Sequence, residues 1–545
     1  MSQVRTNMPD GSECCFLHLP AEFEVAAKRI QCARPWFSFC QRQWATDLLL
    51  GLGTLVTLAA VIGFPKPVHI SHPTVANTTL QRRWQGMPVM IQHATGSGVF
   101  LQLSDIHLDP WYNESFSKKC FCNRFGQTNT SDLSSCFANS TRNIFGQRGC
   151  DTPDTLFQRA VAAAAANAPE GGYDWIFVTG DYVRHGMRKV PRDERTAAVR
   201  EIIQRVGNEI RKHFPDTVVH HGLGHDVYML GSNGNNDFPG DYNITITDPQ
   251  HGTNPWFASL VPMLLPKLNA VHNNGQRSIL DDARATFSRG GYFVQRLTPD
   301  LCVLSINTAV YHKRHSTDDP FGQFKWLRSV MMELRAGTAI AGGAAQQPRA
   351  LIVGHIPPVL DHYHFEPLWE PFYARSYLEI VSQNSDLIAG QLFAHLHTPL
   401  IRLLPSQSGA LPLFIAGGVS PIYENNPSFR VWRYSGSQLL DYTDFYGNLV
   451  EDGPQGNFSF DANVNALKTF NLSSLEAKEW QQKVILKLET SDDVWQRYLR
   501  SVYLKDGGHW LEEKLMSSVL RSKTLCSIEN IHQLEFQKCL SKRGI

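Results

Sequence analysis

Five short segments of the chain carry oxygen or imidazole donors in patterns that could serve a pair of metal ions. Asp105 and His107 stand in SDIHLD, Asp181 in TGDYVRH, Asn235 in GSNGNND, His355 in VGH, and His395 with His397 in AHLH. The D-x-H and H-x-H spacings place alternate side chains on one side of an extended segment, so one short loop reaches two neighbouring ions. Asp, Asn and His hold Zn, Mn or Fe, and these seven donors are enough for two ions that share one carboxylate. Asn233 in the same run rivals Asn235, but Gly234 before Asn235 and Asn236-Asp237 after it favour the latter. Any one of these pieces alone is more often a turn former or a satisfied surface group. Five in order, each near an apolar run, read as a site.

The apolar runs are the elements that must position these donors. VFLQLSD (99–105), WIFVTGD (175–181), VYMLG (227–231), YFVQRL (292–297), LCVLSIN (301–307), ALIVGH (350–355) and AGQLFAH (389–395) read as buried strands. Helical stretches alternate with them: an Ala-rich segment from Asp154 to Asn167, an amphipathic one from Pro191 to Phe214, one over 322–335 and one near 371–384. Buried strands interleaved with helices predict an α/β sheet covered on both faces. In such sheets sites form beyond the carboxyl ends of strands, where these donors lie. Residues 338–348 read as a surface loop, and the chain after Tyr446 turns helical and Trp-rich (Trp480, Trp495, Trp510).

The series of motifs resembles that of the calcineurin-like metallophosphoesterases over about residues 99–400. The Cys-rich insert after the first motif, CDTP (150–153) and the Arg-His pair of GDYVRH are similar to the acid sphingomyelinase-like branch. Asn236 where many relatives have His, together with an N-terminal span, is most like endopolyphosphatases. The resemblance implies a four-layer αββα sandwich with a di-metal site. Asp105, His107 and His397 would hold one ion, Asn235, His355 and His395 the other, and Asp181 would bridge. Ala394 stands where the family usually has Gly, which alters backbone freedom but removes no donor. The cofactors implied are two divalent ions, drawn from Zn, Mn, Fe, Mg or Co.

The activity implied is hydrolysis of a phosphate ester or anhydride by metal-activated water, since bound cations lower the pKa of water. His185, four residues past Asp181, is the expected proton donor or phosphate contact. Its plainer role would be to orient a ligand. Asn236 cannot donate a proton as His can, which favours a good leaving group and therefore the phosphoanhydrides of polyphosphate. The alternative is a phosphodiesterase acting on a nucleotide or phospholipid. A metal-poor binding module is the non-enzymatic alternative, disfavoured because every donor position is filled. No cysteine falls in 65–98, so the cysteine-rich saposin-like domain of true sphingomyelinases is not expected there. Arg184, Arg188, Lys189, Lys313 and Arg314 form two short basic clusters that could contact a polyanion, although such pairs are usually solvated surface.

Length and charge bound the rest. The 545 residues carry 51 Lys+Arg against 50 Asp+Glu, so no global field recruits a nucleic-acid duplex. Leu48–Phe64 is a 17-residue uncharged run, at the short end of a membrane span. Lys28, Arg29, Arg34 and Arg42 precede it, and only Lys66 follows closely, which orients the tail to the cytosol as a type II anchor. All seven N-glycosylation sequons, at Asn77, Asn113, Asn129, Asn139, Asn243, Asn457 and Asn471, follow the run. The downstream chain is then expected in an oxidising lumen such as a vacuole or related acidic organelle, or outside the cell. There Cys120, Cys122, Cys136 and Cys150 would form two bridges in one of three pairings, and Cys526 and Cys539 a third. Zinc binding by the first four is the competing reading. The expected organisation is a tail (1–44), anchor (45–64), stalk (65–95), catalytic domain (96–450) and C-terminal helical extension (451–545).

Overall fold

A computed structural model describes residues 97–125, 143–214, 229–240, 242–248, 252–264, 279–337, 348–504 and 514–545. The expected tail, anchor and stalk, Cys136, the sequons at Asn77, Asn129 and Asn139, and most of loop 338–348 lie outside these residues. No helix among the described residues is long and apolar enough to cross a membrane.

Two six-stranded sheets form the frame. In the first, β1 (Ser97–Leu103), β2 (Ile176–Val178) and β3 (Met229–Gly231) run parallel, and β10 (Ser428–Ser435), β11 (Gln438–Tyr446) and β12 (Ala462–Asn465) continue antiparallel from the other side of β1. In the second, β5 (Leu301–Ser305), β6 (Arg349–Val353), β7 (Ile388–Phe393) and β9 (Gly409–Ile415) are parallel. Its edges are antiparallel: β4 (Phe293–Thr298) on β5, and β8 (Leu400–Ser406) on β9. The seven anticipated runs become β1 to β7 with ends trimmed by a few residues. The strands β8 to β12 were not anticipated, because β10 and β11 mix polar with apolar side chains instead of forming a continuous apolar run. Arg430 on β10 and Asp444 on β11 are both buried and share two hydrogen bonds of 2.7 and 2.9 Å. The segment expected to be helical after 450 opens with short helical turns (Leu449–Asp452 and Gly453–Gln455) but then contributes β12, so the first sheet runs through that boundary.

One continuous core joins the sheets: the ring of Phe414 on β9 lies 5.3 Å from Trp432 on β10 and 5.8 Å from Tyr442 on β11. Helices bury apolar faces against this core. The helix Arg195–His213 buries Ala198, Val199, Ile202, Ile203, Val206 and Ile210, a three-to-four-residue spacing, and ends in Arg211, Lys212 and His213, cations that suit a helix C-terminus. Proline at the first turn of Pro371–Gln383 needs no donor there, and the Glu370 side chain accepts from Phe372 N–H at 2.8 Å.

Disulfides join Cys122 to Cys150 and Cys526 to Cys539, and Cys120 is also disulfide-bonded. This rules out zinc in that cluster and fits a lumenal or secreted domain, since such bonds persist in oxidising compartments.

Candidate active site

The donors converge because the parallel strands of both sheets end at one edge. Asp105 N–H donates to Gly180 O (3.2 Å) and His107 N–H to Asp181 O (2.9 Å), lacing the loops after β1 and β2 together. Ala394 N–H donates to His355 O (2.9 Å), which does the same for β6 and β7. The His395 N–H then reaches Asp105 Oδ2 at 3.2 Å, tying one sheet's loops to the other's. Asp105, His107, Asp181, His395 and His397 all have positive φ, from 43° to 72°. Non-glycine residues are held there at an energetic cost of order 1–3 kcal/mol each, a recurrent feature of functional loops. Gly234 is required by close approach, since a Cβ on it would lie 2.0 Å from Asp181 Oδ1.

Two clusters result, each with its donor atoms within 4.8 Å of one another: Asp105, His107 and His397, and Asp181, His355 and His395. Asp181 Oδ2 stands between them, 3.3 Å from His107 Nε2 and 3.3 Å from His355 Nε2. Asn235 is buried beside Asp181, whose Oδ1 accepts from the N–H of Asn236 at 2.8 Å. Asn233, the rival donor, is also buried, and its amide makes no hydrogen bond.

The tautomers show why a cation fits. His107 Nδ1 faces Val183 O (3.0 Å), His397 Nδ1 faces Ser420 O (3.1 Å) and His355 Nδ1 faces Thr179 O (2.7 Å). A carbonyl only accepts, so each Nδ1 carries the proton, and the neutral rings of His107 and His397 turn an Nε2 lone pair inward. The Nε2 atoms of His107 and His397 are 3.2 Å apart, two acceptors with no proton to share. Asp105 Oδ1, buried and without a hydrogen bond, points to the same space. A metal ion satisfies all three. Burial, then the nearby His185, hold the pKa of His107 and of His397 down to about 3, which keeps both available as ligands in acid. Burial also lowers His355, but the Asp181 and Asp105 carboxylates outweigh it and raise its pKa to about 9, so there a metal must displace a proton.

Beside the first cluster, His185 stacks on His107 with ring centres 4.0 Å apart. Its Nδ1 and backbone N–H both meet the buried carboxylate of Asp151, at 2.9 and 2.8 Å. The sequence signal for Asp151 is its place in the CDTP motif, whose spacing alone does not mark it as the partner of His185. Burial works to raise its pKa, yet the His185 partner holds it well below the usual carboxylate range. Asp237, also unassigned, accepts from the N–H groups of Asp181, Tyr182, Val183 and Gly234 and so knits the second and third motif loops together. Tyr423 has its ring 4.7 Å from that of His397, is 47 % exposed, and carries no sequence signal that would have singled it out. Asn236 donates from Nδ2 to Asp181 Oδ2 at 2.9 Å, so its side chain is committed to the shared carboxylate.

The expected basic contacts separate. Arg184 is buried, 3.3 Å from Asp109 and over the Trp111 ring, and leaves the surface cluster because its charge is needed inside. Arg314 pairs with Asp318 and lies 4.0 Å from the Phe372 ring centre. Arg188, Lys189 and Lys313 are exposed, as are the described sequon residues Asn113, Asn243, Asn457 and Asn471.

An α/β frame whose strand-end loops converge on two such clusters defines a metallophosphoesterase. Residues 98–399 match the calcineurin-like phosphoesterase family, and the chain belongs to it. The family uses a di-metal site, for which the two buried clusters supply the residues. The chain is 26 % identical over 426 residues to human acid sphingomyelinase-like phosphodiesterase 3b, an alignment covering 74 % of this chain and 82 % of that one. It is 24 % identical to the human cyclic GMP-AMP phosphodiesterase SMPDL3A (82 % of this chain, 90 % of that one). To sphingomyelinase phosphodiesterase D of Dictyostelium discoideum it is 22 % identical, covering 61 % of this chain and 69 % of that one.

Proposed function

We propose that the protein is a metal-dependent phosphodiesterase of the acid sphingomyelinase-like type acting on a soluble phosphodiester. The observation that carries this is the pair of buried clusters sharing Asp181, set in a chain whose relatives are named as phosphodiesterases. Asp105, His107 and His397 would hold one divalent ion and Asn235, His355 and His395 the other, with Asp181 common to both. Such ions supply Lewis acidity and lower the pKa of water. His185, oriented by Asp151, carries its proton toward the leaving oxygen, and Tyr423 lines the approach beside it.

Polyphosphate is the second reading, favoured by Asn236 in place of a histidine, since a phosphoanhydride leaves with little help from an acid. We further propose a type II anchor at 45–64 that places the catalytic domain in the lumen of an acidic organelle.

The test is the purified protein with Mn²⁺ or Zn²⁺ against bis(p-nitrophenyl) phosphate, a cyclic dinucleotide, sphingomyelin and long polyphosphate. Diester turnover is expected, abolished by chelation and by Asp181→Asn, with metal content falling in that variant. Turnover of polyphosphate alone would replace the diesterase reading, and Asp181→Asn with full metal and full rate would overturn the metal assignment.

A further inference from the structure

Arg188 and Lys313, one residue from each basic cluster and more than 120 residues apart in sequence, meet in one cavity of about 350 Å³ whose lining also includes Arg195, Gly240, Asn243 and His312. Among the described residues no carboxylate is ion-paired with Arg188, Arg195 or Lys313. Both arginines are held in place by backbone: Arg188 Nε donates to Gly240 O at 3.0 Å, and Arg195 donates to Val190 O at 2.9 Å and to Arg188 O. Their remaining N–H groups are thus pre-set, and the planar guanidinium suits phosphate oxygens. The ring of His312 packs at 4.3 Å on Tyr242 along one wall. An adjoining cavity of about 570 Å³ shares Arg195, Gly240 and Asn243 and adds Arg192, which extends the cationic tract.

The chain leads from the metal clusters straight to this cavity. Arg188 follows His185 by three residues, and Gly240 follows Asn236 by four, so the second and third motif loops both continue into its wall. In a chain with a net charge of only +1, three cations around one hollow are a local field for an anion.

We propose that this cavity binds a phosphate group of the substrate remote from the scissile bond, so that substrates with a second phosphate are selected over simple diesters. The proposal rests on the phosphodiesterase reading for its substrate class, but its binding test does not. Metal-stripped protein, deglycosylated because Asn243 carries a sequon, is titrated with inorganic tripolyphosphate by calorimetry. The double variant Arg188→Gln/Lys313→Gln should bind about tenfold more weakly or worse, since charge-assisted hydrogen bonds to phosphate are lost. Lys313→Gln alone should show part of that loss, and Arg314→Gln, a cation outside the lining, none.

With metals restored, the double variant should raise KM for a diester bearing a second phosphate and leave kcat and the KM for bis(p-nitrophenyl) phosphate unchanged. Equal tripolyphosphate binding by wild type and double variant, both with unchanged melting curves, would overturn the cavity. Absence of wild-type turnover on every diester would instead overturn the phosphodiesterase reading, with the titration still reporting on the cavity.

Discussion

Asp151 shows what one residue outside the metal clusters can do. It holds His185 through two contacts and itself accepts from Ser420 Oγ at 3.4 Å. Asp151→Asn should therefore lower kcat about 10–100-fold, the usual cost of losing an orienting partner, with KM nearly unchanged. His185→Ala should cost more, about 10²–10⁴-fold, if it donates the proton. Steady-state kinetics on a diester checks both, and equal small losses would make His185 a spacer. A second buried carboxylate sets a pH dependence of stability. Burial raises Asp109, against the pull of Arg184, to about 6. A raised folded-state pKa means the folded protein holds the proton more tightly between pH 3.8 and 6, so this contribution is complete below 3.8 and is lost as pH rises through 6. Melting temperatures measured from pH 4 to 7 should fall more in wild type than in Asp109→Asn. Parallel slopes would remove Asp109 from the account.

At the scale of elements, the C-terminal helices reach the site through a loop. Ser518–Glu529 and Gln533–Lys542 are joined by the Cys526–Cys539 disulfide, and they bury Leu360 and Phe365 in a small cluster with Phe536 and Leu540. Phe365 stacks on Phe536 with ring centres 5.5 Å apart, and between Leu360 and Phe365 lies His362, whose Nε2 is 3.2 Å from Thr398 Oγ1, next to His397. A disulfide closing a short loop stabilises by about 3 kcal/mol on the chain-entropy account. Cys526→Ser/Cys539→Ser should lower Tm by several degrees. It should also reduce kcat at temperatures well below that melt, because the loop beside His397 loses its brace. A lowered Tm with unchanged kcat would confine the helices to a structural role.

Over the whole molecule, the exposed sequons agree with a chain whose disulfides need an oxidising compartment. Endoglycosidase should shift the gel mobility of protein from its native source, and Asn113→Gln, Asn243→Gln, Asn457→Gln and Asn471→Gln should each remove part of that shift. No shift at all would leave the lumenal placement to the disulfides. The seven candidate strand-end donors are legible along the chain because each belongs to a short-range pattern: a few apolar residues that must be buried, followed at once by a polar group with a fixed spacing. The parallel strands β1 to β3 and β5 to β7 are legible in the same way, since their continuous apolar runs admit few alternatives. The remaining features arise from contacts that form only in the folded chain. The alternating strands β10 and β11 become central only when β1 pairs with β10, and Arg430 is buried only because Asp444 lies opposite it. Arg184 turns inward to Asp109 while Arg188, four residues on, faces a cavity with Lys313. These outcomes depend on contacts between segments far apart in the chain, and charge or hydropathy along a sequence carries no record of which distant partner a side chain will meet.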